Sequence, residues 1–138
     1  MADTIQLRIV TPTRLVFDEA VDEVTAPGVL GQFGVLPNHI AFLTLLQPGE
    51  LSYKQGGRTT RLALAGGYAE VLDNVMTVLA DAAEFAGEID VARARRAKEQ
   101  AEKNVATLNP DDREFAVCEA ARKRAEARLE VASGEASR

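Results

Sequence analysis

The sequence of 138 residues has no tryptophan, two tyrosines and five phenylalanines, so aromatics make up only 5% of it. So few rings weaken any case for a surface that stacks sugars or bases. One cysteine, Cys118, excludes an internal disulfide and suits a reducing compartment. One histidine, His39, leaves no His/Cys/carboxylate cluster at metal-ligand spacing. A net charge of −5 argues against general nucleic-acid binding, which needs a basic face. No apolar run approaches the ~20 residues that span a bilayer. Met1-Ala2-Asp3-Thr4 enters a strand pattern at once, leaving no room for a signal or transit peptide. The expectation is a soluble, cytosolic chain of one domain, or a small domain with an appendage.

Charge divides the chain near residue 87. Residues 1–87 hold 5 basic and 10 acidic side chains, and residues 88–138 hold 11 of each. Hydrophobic periodicity changes at the same place. Ile5, Leu7 and Ile9 alternate with Gln6, Arg8 and Val10, the pattern of a half-buried strand that Pro12 breaks. Leu15-Val16-Phe17 and then Val21 and Val24 suggest a second extended piece, bent near Asp18-Glu19. Pro27 to Gly49 is a Gly/Pro-punctuated stretch with a strand-length apolar run from Ile40 to Leu46. Leu51-Ser52-Tyr53 and Arg61–Ala65 flank Gly56-Gly57, a hairpin signal. Gly66-Gly67 predicts a turn or bulge, Asp73-Asn74 a further turn, and Val75–Leu79 the last strand. Short strands at roughly ten-residue spacing predict an antiparallel sandwich or barrel.

From Asp90, a good N-cap, the period becomes helical. Val91, Ala94, Ala97, Ala101, Val105 and Leu108 form one stripe. Asn109-Pro110-Asp111-Asp112 stops that helix and opens another. Phe115, Cys118, Ala121, Ala125, Leu129 and Ala132 repeat the spacing before Ser133-Gly134 ends it, with frayed residues beyond. A short connector makes the two helices an antiparallel hairpin. The fold class is therefore α+β, with a β-sandwich over 1–86 and a helical hairpin over 87–138. The mostly alanine seam buries little, at about 0.8 kcal/mol lost per missing methylene. Such a hairpin should detach more readily than the sandwich.

Catalysis has little to work with, and no catalytic or metal-binding residue is expected. Cys118 falls on the apolar stripe, where a buried inert thiol is the simpler reading. His39 has no motif partner and suits a structural hydrogen bond. Anion binding is the better prospect. Arg93, Arg95, Arg96 and Lys98 crowd the start of the first helix, and Arg122, Lys123, Arg124 and Arg128 the end of the second. An antiparallel hairpin makes these places neighbours, and guanidinium groups near a helix N-terminus suit phosphate. Two alternatives stand beside this: a solvated face paired with Glu99, Glu102, Glu126 and Glu130, or a dock for an acidic protein.

Gly31-x-x-Gly34-Val35-Leu36-Pro37-x-His39-Ile40, followed by Thr44-x-Leu46-x-Pro48-Gly49, resembles the signature of the epsilon subunit of F-type ATP synthase. Leu64-Ala65-Gly66-Gly67, Val78-Leu79-Ala80-Asp81 and the C-terminal hairpin extend the resemblance over nearly the whole chain. The resemblance implies a non-catalytic rotor subunit of the central stalk that couples rotation of the c-ring to the catalytic head. Its sandwich would contact the gamma subunit and the c-ring, with Gly31, Gln32, Phe33, Gly34, Leu36, Pro37 and His39 in the contact. Its hairpin would extend toward the catalytic alpha and beta subunits to inhibit ATP hydrolysis, or fold down beside the sandwich. It would lie peripherally, at the cytoplasmic face of the inner (plasma) membrane, touching membrane only through the complex and binding no nucleic acid.

Ile89-Asp90-Val91-Ala92-Arg93-Ala94 also fits the I/L-D-x-x-R-A pattern of epsilon subunits that bind ATP in the folded-down state. By that resemblance Glu84, Ile89, Asp90, Arg93, Ala94, Arg124 and Arg128 would form a regulatory ATP site, with no cofactor required. Gln100 stands where some of those relatives carry arginine, Gln32 where several carry an acid, and Ala41 where many carry proline. The competing function is a free-standing β-sandwich that binds a small ligand under a helical lid.

Overall fold

Ile5, Leu7 and Ile9 are fully buried, as their alternation requires, and belong to β1 (Ile5–Val10) at the centre of the core. The computed structural model describes residues 3–134, so any fraying beyond Gly134 lies outside the described residues. Nine further strands follow: β2 (Leu15–Val21), β3 (Glu23–Gly28), β4 (Gly31–Val35), β5 (Phe42–Leu46), β6 (Gly49–Gln55), β7 (Arg58–Leu64), β8 (Gly67–Leu72), β9 (Val75–Ala80) and β10 (Ala83–Phe85). They run in the order β10-β7-β6-β3-β5-β8-β9-β1-β2, with β4 attached to β3. Pairing is antiparallel throughout except between β1 and β9, which residues 11–74 separate and which can therefore run parallel.

The strand path folds back on itself. Phe17 of β2 stacks on Tyr53 of β6 with ring centroids 4.5 Å apart, and Gln55 Nε2 donates to the Ala20 carbonyl at 2.9 Å. The two layers enclose Leu51, Leu62, Leu64, Val71, Met76 and Val78, each essentially without exposure. Gly56-Gly57 and Asp73-Asn74 both make two-residue turns with positive φ at both positions, joining Gln55 to Arg58 and Leu72 to Val75. Gly, Asp and Asn are the residues that tolerate this left-handed backbone.

One expectation needs correction. The bend falls at Asp22, not Asp18-Glu19. Asp18 lies within β2, where Arg8 pairs with it at 3.4 Å and Gln6 donates to it at 2.7 Å. Asp22 instead accepts from the Gly56 amide at 3.0 Å, which fixes the corner there. The Gly/Pro stretch is also more regular than its composition suggests. Val24–Gly28 pair residue by residue with Gly31–Val35 in a hairpin.

After a 3₁₀ turn (Ala86–Glu88), α1 (Val91–Thr107) and α2 (Arg113–Ser133) form the expected hairpin, folded down on the sandwich. α1 packs on α2, and α2 lies on β6 and β7. α1 buries Ala94 and Ala101, but Ala97 is exposed and Val91 remains 39% exposed. α2 buries Ala125, Ala127 and Val131, so it has two covered faces rather than the single expected stripe.

Candidate functional site

The site begins with strand register. β10 pairs with β7 so that Ala83 opposes Leu64, Glu84 opposes Ala63, and Phe85 opposes Leu62. Leu62 and Leu64 point into the core, so Glu84 takes the opposite face, where α2 lies. Arg128 of α2 donates from Nε to Glu84 Oε1 at 2.6 Å, with both side chains about one-third exposed. This charge-assisted bond ties the hairpin to the last strand of the sandwich.

The chain then turns toward α1. Glu88 folds back so that its Oε1 accepts the Phe85 amide at 3.0 Å. Arg14, from the β1–β2 turn, donates from Nη2 to both Glu88 oxygens at 3.3 Å. Asp90 caps α1 by accepting the Arg93 amide at 3.1 Å. Removing that acceptor in Asp90→Ala is expected to cost about 1 kcal/mol of α1 stability. Loss of helical signal and faster exchange of the first-turn amides would register it.

Between these parts lies a cleft of about 210 Å³ lined by Glu84, Glu88, Asp90, Arg93 and Arg128. It opens beside the N-terminus of α1, whose dipole favours an anion. Its two guanidinium groups can hold phosphate, and its three carboxylates can accept from hydroxyl or amino groups. The cleft is smaller than the ~300 Å³ of common ligand pockets, and the Arg128–Glu84 bond forms part of its lining.

Of the residues expected here, Glu84, Asp90, Arg93 and Arg128 converge. Arg124 lines an adjoining crevice with Glu84 and Arg128. Ile89 is half-buried beside the cap, and Ala94 is buried within the hairpin rather than in the cleft. Glu88 and Arg14 escaped the sequence reading. Glu88 was legible as an acid just ahead of the cap, whereas nothing in the sequence links Arg14 to a residue 74 positions away. Arg122 lies outside the cleft, half-buried in a groove with Pro27, Gln47 and Gly49. It bonds Glu119 and, at 2.7 Å, Glu126 on its own helix. The hydrogen bond from Arg122 holds the Glu119 carboxyl below its ordinary value of 4.5, so this pairing weakens only as pH falls through the acidic range.

The Gly31–His39 segment lies elsewhere: Gly31–Val35 form β4, hydrogen-bonded to β3, and Leu36–His39 follow it. Gly31, Gln32 and Gly34 are exposed, while Phe33, Pro37 and His39 are half-buried. His39 Nδ1 lies 2.7 Å from the Ile40 carbonyl and its ring meets Phe42 edge-on, the structural role expected of it. Asn38 donates its amide to Asn74 Oδ1 at 2.8 Å, fastening the segment to the β8–β9 turn. Leu30, Leu36 and Ile40 are 98%, 58% and 79% exposed around it. Leu43, Leu45, Tyr68 and Leu72 extend exposed apolar surface over β5 and β8. Among the described residues no group of three or more His, Cys, Asp or Glu could hold a metal. No helix there is long and apolar enough to cross a membrane.

A strand-rich module followed by a helical hairpin, with a charged cleft at their junction, defines a two-part class of proteins. Residues 4–86 match the model of the beta-sandwich domain of the ATP synthase delta/epsilon chain. Residues 88–133 match that of the long alpha-helix domain of the same chain. The chain belongs to the ATP synthase delta/epsilon chain family. The ATP synthase epsilon chain of Syntrophobacter fumaroxidans is 54% identical over 132 residues, covering 96% of this chain and 98% of that one. That of Geotalea daltonii is 51% identical, with 96% of each covered. Among solved structures, a chain of the Euglena gracilis mitochondrial ATP synthase (OSCP/F1/c-ring, rotational state 1) superposes with a TM-score of 0.82 at 27% identity. That match covers 96% of this chain and 83% of the other. A chain of the Tetrahymena thermophila mitochondrial ATP synthase central stalk and c-ring shares the fold, with a TM-score of 0.62 at 16% identity and 96% of each covered.

Proposed function

We propose that this chain is a non-catalytic rotor subunit of a proton-translocating ATP synthase, with a hairpin that brakes ATP hydrolysis and responds to ATP. In this reading 1–86 is the body that touches the gamma subunit and the c-ring, and 87–138 is the moving part. The subunit sits peripherally at the cytoplasmic face of the membrane, within the complex. The exposed apolar surfaces support the first assignment, since contiguous patches of that kind mark interaction sites. Leu30, Leu36 and Ile40 at the Gly31–His39 end suit the c-ring, and Leu43, Leu45, Tyr68 and Leu72 suit gamma.

The observation that carries the second assignment is the Arg128–Glu84 bond lining the cleft that Arg93 shares. A triphosphate entering there would draw Arg128 from the carboxylate to phosphate and bridge α2 to the start of α1. The hairpin would then be held down at high ATP. Without ATP, an alanine seam and a few ion pairs hold it, and two arrangements stay close in free energy. In the extended arrangement it reaches the catalytic alpha and beta subunits.

The test is ATP hydrolysis by the assembled complex with the chain ending at Gly87, compared with the whole chain. Hydrolysis is expected to rise severalfold on removal of the hairpin, and an unchanged rate would contradict the brake.

A further inference from the structure

The surface on which α2 lies carries a charged pair. β6 and β7 pair so that Ser52 opposes Arg61 and Glu50 opposes Ala63, all on the side away from Leu51, Leu62 and Leu64. Arg61 Nε lies 3.6 Å from Glu50 Oε1, with only 8% of the Glu50 side chain exposed and 27% of that of Arg61. The guanidinium also reaches the far end of α2. Arg61 Nη1 lies 4.0 Å from where a Cβ on Gly134, the left-handed cap of the helix, would stand. Arg61 further lines a groove with Phe85, Val131 and Ser133, between β7, the 3₁₀ turn and that helix end. The C-terminal carbonyls of a helix carry partial negative charge and favour a cation.

We propose that Arg61, held in place by Glu50, is a second anchor of the folded-down hairpin and grips the C-terminal end of α2. It acts apart from the nucleotide cleft. The inference rests on the reading that the hairpin moves. The Glu50–Arg61 pair lies on the face that the docked helix covers, so docking takes Glu50 almost wholly and Arg61 largely out of water. Burial of such a pair is costly unless other groups complete it. The negative end of α2 contributes to that completion, and only when the helix is down. The two anchors therefore differ in kind. Both hold the hairpin without ligand, but Arg128–Glu84 responds to anions, whereas Glu50–Arg61 with the helix end does not.

Hydrogen–deuterium exchange on the full chain without nucleotide tests this, comparing Arg61→Gln, Arg61→Lys and Arg128→Ala. Arg61→Gln is expected to speed exchange of the α1 and α2 amides roughly tenfold while the β6 and β7 amides keep their protection. Arg61→Lys, which keeps the cation, should retain most of the helical protection. Equal loss in Arg61→Lys and Arg61→Gln would overturn the proposal, because the charge would not be the anchor. Loosening of β6 and β7 as well would also overturn it, assigning the pair to the sheet alone. Helices released by Arg128→Ala but not by Arg61→Gln would overturn the second anchor and leave the moving hairpin standing. Helices unmoved by either would overturn both.

Discussion

Arg128→Ala is expected to weaken ATP binding by at least about tenfold and to loosen the hairpin even without ATP. Hydrogen bonds to charged groups contribute about 1.5–3 kcal/mol when well enclosed. With both side chains about one-third exposed, solvent screening lowers the resting Arg128–Glu84 bond to roughly 1 kcal/mol. The same guanidinium would face phosphate in the liganded state, so its removal affects both states. Arg128→Lys separates charge from geometry. Lysine keeps the cation but loses the planar fork, so an intermediate affinity is expected. Titration calorimetry measures the first effect and amide exchange along α2 the second. Unaltered affinity in Arg128→Ala would remove this residue from the nucleotide site.

Gly67→Ala is expected to be the most damaging small substitution in the sandwich. Gly67 opens β8 at φ +133°, a conformation other residues rarely adopt, and it opposes Ala80 of β9. A Cβ there would collide with the Leu79 carbonyl oxygen and stand 2.8 Å from Ala80 Cα. Both obstacles are backbone, so relief requires β8 and β9 to separate. Strain and lost pairing together should cost about 3 kcal/mol or more, lowering the melting midpoint by on the order of 10 °C. Gly57→Asn is the control. Gly57 also has positive φ, but a Cβ added to it would meet nothing within 4 Å, and asparagine tolerates that backbone. Equal melting of Gly67→Ala and the unaltered chain would refute the close-approach argument.

The sandwich was legible because its strands obey simple local rules. Ile5-Leu7-Ile9 alternate, Gly56-Gly57 and Asp73-Asn74 dictate tight turns, and Asp90 caps a helix whose period is plain. Less legible was whatever depends on distant partners. β10 is three residues long and exists because Leu62–Leu64 offer it an edge. The Asp22 corner depends on a carboxylate meeting the Gly56 amide 34 residues on. The expected stripe of α2 described its α1 side alone. Ala120, Arg124, Ala127 and Val131 repeat at helical spacing as a second stripe, and two of these four are buried in the docked helix. The arginine clusters pointed to the end of the hairpin where the charged cleft lies. Which arginines reach the cleft was settled by Glu84, whose facing depends on β10 register. Ala94 satisfies the motif but is spent on helix packing.

The most direct test of the nucleotide-responsive hairpin is calorimetric titration of the isolated protein with ATP at physiological salt, with ADP as the control. The expected result is saturable, ATP-selective binding that disappears in Arg93→Ala. Absence of binding up to millimolar ATP would contradict it and return the cleft arginines to solvated faces or docking surfaces for protein partners.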